Sequence, residues 1–249
     1  MGVVLDTTVQ IGRIFGTKER KASIRDAIGH NECYSTVYVF GEYCSNILND
    51  YVTMHSIIDV YDNLNEAEKK INENAFGRAK DRMHKLFIFL RERYDNDIDD
   101  IKLSFKANLS ILRHKFHKDL CMPLLDGAKC NRANFSVEYP EGRPVVKNIH
   151  CRQTDKHCDI SSLWQKYFAL VETLGDRTDI DERIRSFMST ATALTPPKGN
   201  NCKNFGDCII CLEAINGNMN MICTSNVKDF EPLSKHLGLK LIIPDYKHK

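Results

Sequence analysis

Gly2-Val3-Val4-Leu5-Asp6 opens the chain with a short apolar run that stops on a carboxylate. Val3, Val4 and Leu5 show no polar alternation, which is the pattern of a parallel strand covered on both faces. Asp6 then falls at the carboxyl tip of that strand, where ligands collect in an open parallel sheet. The far end of the chain has a matching pattern. Asp207 opens an apolar helix (Ile209, Ile210, Leu212, Ala214, Ile215), closed by Asn216-Gly217-Asn218. A short strand over 219–224, a brief helix to His236 with Gly238 at its end, and a strand over 239–243 complete it. Both ends read as α/β.

Between them the spacing is mostly helical. Val37, Phe40, Cys44, Ile47, Leu48 and Tyr51 recur at three- and four-residue steps, so Thr36 is expected to cap an amphipathic helix that leaves Glu42 off the apolar stripe. A strand over 35–40 is the alternative, because Thr, Val, Tyr and Phe also favour strands. From Asn65 to about Leu120 the pattern predicts two or three long helices, with Ile71, Ala75, Met83, Leu86, Phe87 and Leu90 on one face. The stretch 121–158 loses periodicity and reads as an irregular connection. Helix resumes at Ser161 or Ser162, with Trp164 in its apolar face, and another helix is expected near 180–194, stopped by Pro196 and Pro197.

Composition narrows the class. The 249 residues are 42% hydrophobic and 27% charged, with 13 Gly and 7 Pro, which excludes a disordered, collagenous or coiled-coil chain. No run reaches the roughly 18 apolar residues of a membrane span. Ten cysteines without a leader are expected to be thiols in a reducing compartment, so the expected location is cytoplasmic. A net charge of +2 neither requires nor excludes a polyanionic partner. There is no Gly-rich phosphate loop or dinucleotide fingerprint.

Four acids stand at places where chemistry is expected: Asp6 and Asp229 just past strands, Glu42 and Asp207 near helix beginnings. Carboxylates converging beyond a sheet edge repel one another unless a cation is present, and hard divalent ions prefer such oxygen ligands. Taken singly, each has a plainer reading: a turn residue, a solvated helix position, an N-cap and a first-turn charge.

Val3-Val4-Leu5-Asp6-Thr7-Thr8, Thr36-Val37-Tyr38-Val39-Phe40-Gly41-Glu42, Gly206-Asp207-Cys208-Ile209-Ile210 and Thr224-Ser225-Asn226-Val227-Lys228-Asp229-Phe230 together resemble a PIN domain, the last motif being the most specific. The resemblance implies an α/β fold, a three-layer α/β/α sandwich with a central parallel sheet, and a metal-dependent nuclease, an endoribonuclease before a deoxyribonuclease. It implies Asp6, Glu42, Asp207 and Asp229 as the catalytic, metal-holding set for Mg²⁺ or Mn²⁺, with Thr224 and Asn226 positioning carboxylates, phosphate or water. The expected partners are RNA, with DNA as the alternative, and a regulatory or antitoxin protein. No membrane is expected, and a homodimer is compatible. A catalytically silent PIN-like module, binding nucleic acid or protein, is the alternative of another class.

The resemblance covers about 1–55 and 200–245. The expected division is therefore a PIN-like N-terminal part (1–55), a mostly helical insertion (56–200) and a PIN-like C-terminal part (201–249). The insertion carries the basic run Arg113-His114-Lys115-Phe116-His117-Lys118, of which Arg113, Lys115 and Lys118 are candidate nucleic-acid contacts. A solvated face is the plainer reading of that run and of its histidines. Lys129, Arg132, Arg143, Lys147, Arg152 and Lys156 add scattered cations. Cys44, Cys208, Cys211 and Cys223 lie on apolar faces and read as small buried hydrophobes. Cys130, Cys151 and Cys158, with His157 and the further candidates Cys121 and His150, are residue types that suit structural Zn²⁺. Their spacing lacks a Cys-x-x-Cys knuckle, and unlinked thiols are the favoured reading.

Overall fold

The computed structural model describes residues 2–75, 77–118, 124–125, 130–148 and 160–245. In chain order, β1 (Gly2–Leu5), α1 (Thr7–Phe15), α2 (Lys18–Ile28), β2 (Glu32–Thr36) and α3 (Val37–Tyr43) lead through a π-helical turn, Cys44–Leu48, into α4 (Asn49–Ile58). The helices α5 (Leu64–Asn74), α6 (Gly77–Arg93), α7 (Ile98–Leu103) and α8 (Phe105–Lys118) follow, then β3 (Leu124–Leu125) and the strands β4 (Ser136–Glu138) and β5 (Val145–Lys147). The chain ends on α9 (Ser161–Val171), α10 (Glu182–Met188), α11 (Asn200–Asn204), α12 (Gly206–Asn216), β6 (Met221–Cys223), α13 (Val227–Leu237) and β7 (Lys240–Ile242).

Five strands form a parallel sheet in the order β3-β2-β1-β6-β7, so β1 is central, with Val4 paired to Tyr34 on one side and to Ile222 on the other. The apolar run of β1 is buried on both faces. Val3 and Leu5 pack with Val9 of α1, Ile24 and Ile28 of α2, and Met221 and Cys223. Val4 and Ile222 face a much larger cluster that includes residues of α3, α4, α6, α9, α12 and α13. A strand without polar alternation is stable only when covered in this way.

That larger cluster joins Val4, Tyr43, Phe87, Trp164, Ile209 and Phe230, so the middle of the chain shares one core with its ends. Buried tyrosine hydroxyls tie the pieces together. Tyr43 donates to the Leu112 carbonyl at 2.7 Å and Tyr51 to the Phe105 carbonyl at 3.2 Å. Arg82 of α6 reaches Asp50 of α4 at 2.6 Å. No helix is long and apolar enough to cross a membrane among the described residues.

Several expectations change. Thr36 does cap α3, its hydroxyl accepting from the Val39 amide at 3.1 Å, but it also ends β2, so of the strand weighed over 35–40 only Ser35 and Thr36 are in a strand, which begins earlier, at Glu32. The helix it opens is not amphipathic: Tyr38, Val39, Phe40, Gly41 and Tyr43 are all buried, because α3 lies between the sheet and the other helices. α1 and α2 were likewise not predicted; α2 buries only Ile24 and Ile28, whereas α1 buries Thr7, Val9, Gln10, Gly12 and Ile14. Four helices, not two or three, fill 64–118. Within the segment read as irregular, β3 joins the main sheet and β4 pairs antiparallel with β5. The helix expected over 180–194 ends at Met188, well before the prolines.

Trp164 is fully buried, as expected. Its indole N–H donates to the Thr192 carbonyl at 2.8 Å, and its ring meets Phe168, Phe187 and Phe205 at 5.4, 6.0 and 5.6 Å. Trp164→Ala is expected to cost about 3–5 kcal/mol of stability, the range for truncating a buried aromatic. Urea denaturation measures it, and a loss below about 1 kcal/mol would show that this aromatic cluster does not hold α9 to α10 and α12.

Candidate active site

The strand order reverses between β1 and β6, and the crevice outside the carboxyl ends of the strands at such a point is where open α/β sheets bind ligands. Asp6 leaves β1 and Thr224 leaves β6 at that crevice. The Asp6 carboxylate is 2% exposed and caps α1. It accepts from the Thr8 amide, from the Thr8 hydroxyl at 3.0 Å and from the Thr224 hydroxyl. Thr224 in turn accepts the Asn226 amide at 2.9 Å, so the turn after β6 is folded around the same carboxylate. Ser225 closes the ring, its amide 3.2 Å from the Thr8 hydroxyl oxygen.

The other three acids open on one cleft of about 450 Å³, lined by Glu42, Asp207 and Asp229 together with Asp179, Asp181, Arg183, Lys203 and Lys228. Glu42 reaches it from α3 and accepts the Thr7 hydroxyl at 2.5 Å. Asp207 lies in the first turn of α12, not at its cap, and accepts the Asn226 side-chain amide at 3.2 Å. Asp229 is exposed in the first turn of α13. Gly206 is needed at the start of α12 because a Cβ there would come within 2.8 Å of the Tyr38 hydroxyl, which donates to the Cys202 carbonyl at 3.0 Å. Asp6 does not line the cleft but sits behind it, close enough to Glu42 to feel its charge.

Burial raises the Asp6 pKa from 3.8 to about 6, with the Glu42 charge adding to the rise, against the lowering by the Thr224 and Thr8 hydrogen bonds. Among the described residues, no three His, Cys, Asp or Glu side chains are gathered into a metal shell. Asp6, Glu42 and Asp207 are instead each turned onto a neutral donor, Thr224, Thr7 or Asn226. An all-oxygen donor set of this kind suits Mg²⁺ or Mn²⁺ in its chemistry.

Arg132 is a site neighbour that sequence reasoning counted only among scattered cations. It is 8% exposed, and its guanidinium lies 4.6 Å from the Tyr38 ring centroid. Burial works against its charge, but Tyr38, Cys130 and Glu42 more than offset this and raise its pKa. No local signal marks it, because it reaches α3 from a turn almost a hundred residues downstream. Arg183, Lys203 and Lys228 were also missed as cleft cations, although Lys228 sits inside the Thr224–Phe230 motif.

Among the described side chains, none of Arg113, His114, Lys115, Phe116 and His117 lines the cleft. Arg113 lies over the Phe40 ring at 5.9 Å and Lys115 over Phe89 at 5.3 Å. The Lys118 side chain lies outside what the structure describes. His117 is half-buried, with its ring 4.8 Å from that of Phe40, and burial lowers its pKa, so a freely solvated role does not hold for it. Cys130 is buried against Gly41, where a Cβ would meet its sulfur at 2.7 Å. Cys121, His150, Cys151, His157 and Cys158 lie outside the described residues. Cys44, Cys208, Cys211 and Cys223 are fully buried, and burial pushes the thiols of Cys44, Cys208 and Cys223 up to about 12. Comparison with protein-family models, curated proteins and solved structures finds no match for this chain.

The raised Asp6 pKa has a measurable consequence. The folded chain holds a proton that the unfolded chain releases near 3.8, so stability from this group is full below that value and is lost as pH rises through about 6. Over that window the metal-free protein is expected to lose about 3 kcal/mol that Asp6→Asn does not lose. Thermal melts in EDTA across pH 4 to 7 compare the two, and parallel curves would refute the shift.

Proposed function

We propose that this chain is a metal-dependent nuclease of the PIN type, acting as an endoribonuclease. The observation that carries the reading is the opening of Glu42, Asp207 and Asp229 on one cleft at the carboxyl edge of a parallel sheet, with Asp6 buried behind them. Mg²⁺ or Mn²⁺ held by these carboxylates would lower the pKa of a bound water and neutralise charge on the leaving oxygen.

The chain's own residues have definable tasks in this reading. Asp6, fixed by Thr8 and Thr224, anchors the acidic wall. Thr7 and Asn226 hold the Glu42 and Asp207 carboxylates until the site is loaded. Arg183, Lys203 and Lys228 supply positive charge to phosphate in a cleft otherwise rich in acids. In this proposal a metal-activated water would be the nucleophile and no covalent enzyme intermediate forms. RNA is preferred over DNA on the resemblance alone.

A second reading, a catalytically silent module that binds nucleic acid or protein, is favoured by the lack of a gathered metal shell among the described residues. Cleavage assays on single-stranded and structured RNA and DNA, with Mg²⁺ and then Mn²⁺, separate the two. Asp6→Asn and Asp229→Asn are each expected to lower cleavage more than about 100-fold with the fold retained. Cleavage at the parental rate in both variants removes the site assignment.

Neutralising Arg113, Lys115 and Lys118 together is expected to weaken RNA binding. It should flatten the logarithmic salt slope by about 2 for a single strand, since each phosphate contact releases counterions. An unchanged slope returns this run to a solvated face.

A further inference from the structure

Asp6 stands at the carboxyl end of its strand, and a separate hollow of about 300 Å³ opens at the opposite edge of the sheet, where Asn31 and Cys33 line it at the amino end of β2. Arg13, in the last turn of α1, lines the same hollow together with Lys21 and Arg25 of α2. Three cations meet there with no acid in the described lining, the reverse of the acid cleft. Glu19, Asp26 and Glu32 are near in sequence, and none of them lines it.

Local structure builds this arrangement. Lys21 and Arg25 are four residues apart and share one face of α2, while Ile24 and Ile28, also in the lining, are buried against Val3, Leu5 and Val9. The floor is therefore apolar and fixed. Arg13 is held in place, its Nε and Nη2 donating to the Gln10 side-chain oxygen at 3.1 and 2.9 Å and Nη2 also to the Phe116 carbonyl at 3.1 Å. Gly29 ends α2 with a φ of +59°, and the Asn31 side-chain amide then donates back to the Ile28 carbonyl at 2.7 Å. Burial raises the pKa of the Cys33 thiol and the Arg13 charge lowers it, which puts the guanidinium near the sulfur. Among the described residues, neither Lys21 nor Arg25 is in an ion pair.

We propose that this hollow binds a small phosphate monoester, its phosphate among Arg13, Lys21 and Arg25 and its organic body on Ile24 and Ile28. The inference does not rest on the nuclease reading, because the hollow and the acid cleft share no lining residue. A guanidinium fork matches phosphate oxygens through two parallel hydrogen bonds, and a lysine adds a point charge. A phosphate monoester carries a charge of about −1.5 to −2 at pH 7, which uses three cations better than the single charge of a carboxylate or a diester. The volume, at the low end for ligand pockets, admits one ring or a short chain with its phosphate.

The test is isothermal titration calorimetry of the full chain with phenyl phosphate, in EDTA so that no divalent cation draws phosphate to the acids. Phenyl phosphate is expected to bind at least about tenfold more tightly than inorganic phosphate, through apolar contact of its ring. It should exceed benzoate, a monoanion, by about tenfold as well. Lys21→Ala with Arg25→Ala, at a half-buried and an exposed position, is expected to weaken phenyl phosphate at least about tenfold, and Arg25→Glu alone should do the same. Lys18→Ala removes an exposed cation of α2 outside the lining and should bind as the parent does. Circular dichroism melts check that each variant is folded. Affinity no greater than that of inorganic phosphate, parental affinity in the folded lining variants, or an equal loss in Lys18→Ala overturns the inference. A single-stranded RNA that displaces phenyl phosphate and loses affinity in the double variant would make the hollow a backbone contact, and overturn it too. Cleavage plays no part in the readout, so failure here leaves the nuclease reading where it stood.

Discussion

The burial of one carboxylate at the carboxyl ends of the paired strands β1 and β6 organises the candidate site. A buried ionised acid costs several kcal/mol after relaxation, and hydrogen bonds to a charged group return about 1.5–3 kcal/mol each. Asp6 has donors from Thr8 and Thr224, residues from opposite ends of the chain, and still its pKa stands near 6. Desolvation, with repulsion from Glu42, therefore outweighs the hydroxyl and amide donors. Ser225 and Asn226, in the turn after β6, are placed by the same network.

The acids in front of Asp6 experience a milder form of the same constraint. Glu42 and Asp207 are partly exposed and rest on neutral donors, with cations of the same cleft nearby. Arg132 brings a buried positive charge to the back of this wall through the Tyr38 ring. The described lining of the cleft carries five acids, Glu42, Asp179, Asp181, Asp207 and Asp229, against the three cations Arg183, Lys203 and Lys228.

The middle of the chain contributes walls as well as bulk. α9 and α10 reach α12 through the Trp164, Phe187 and Phe205 cluster, and the Cys130–Asn134 turn packs against α3 at Gly41. These contacts set the wall beside the acids and the position of Arg132. Shape around the site therefore comes largely from sequence outside the four expected acids, and that sequence adds Asp179 and Asp181 to the lining.

Local pattern by itself determined a good part of this protein. The apolar Gly2–Leu5 strand, the Thr36 cap, the helices at Ser161 and Gly206 and the αL glycine at Gly238 are written in adjacent residues, because capping and strand burial act over a few positions. The four acids were also legible in sequence, as carboxylates beside element ends. Tertiary structure alone decided the rest. β2 and β3 are strands only because β1 and β2 offer them an edge, and α3 is buried all round only because later helices cover it. Tertiary structure likewise buried Asp6 outside the cleft lining, turned Glu42 onto Thr7, brought Arg132 to Tyr38 and set Glu42 and Asp207 on one cleft. Such placements depend on contacts between residues tens to hundreds of positions apart, which no local periodicity records.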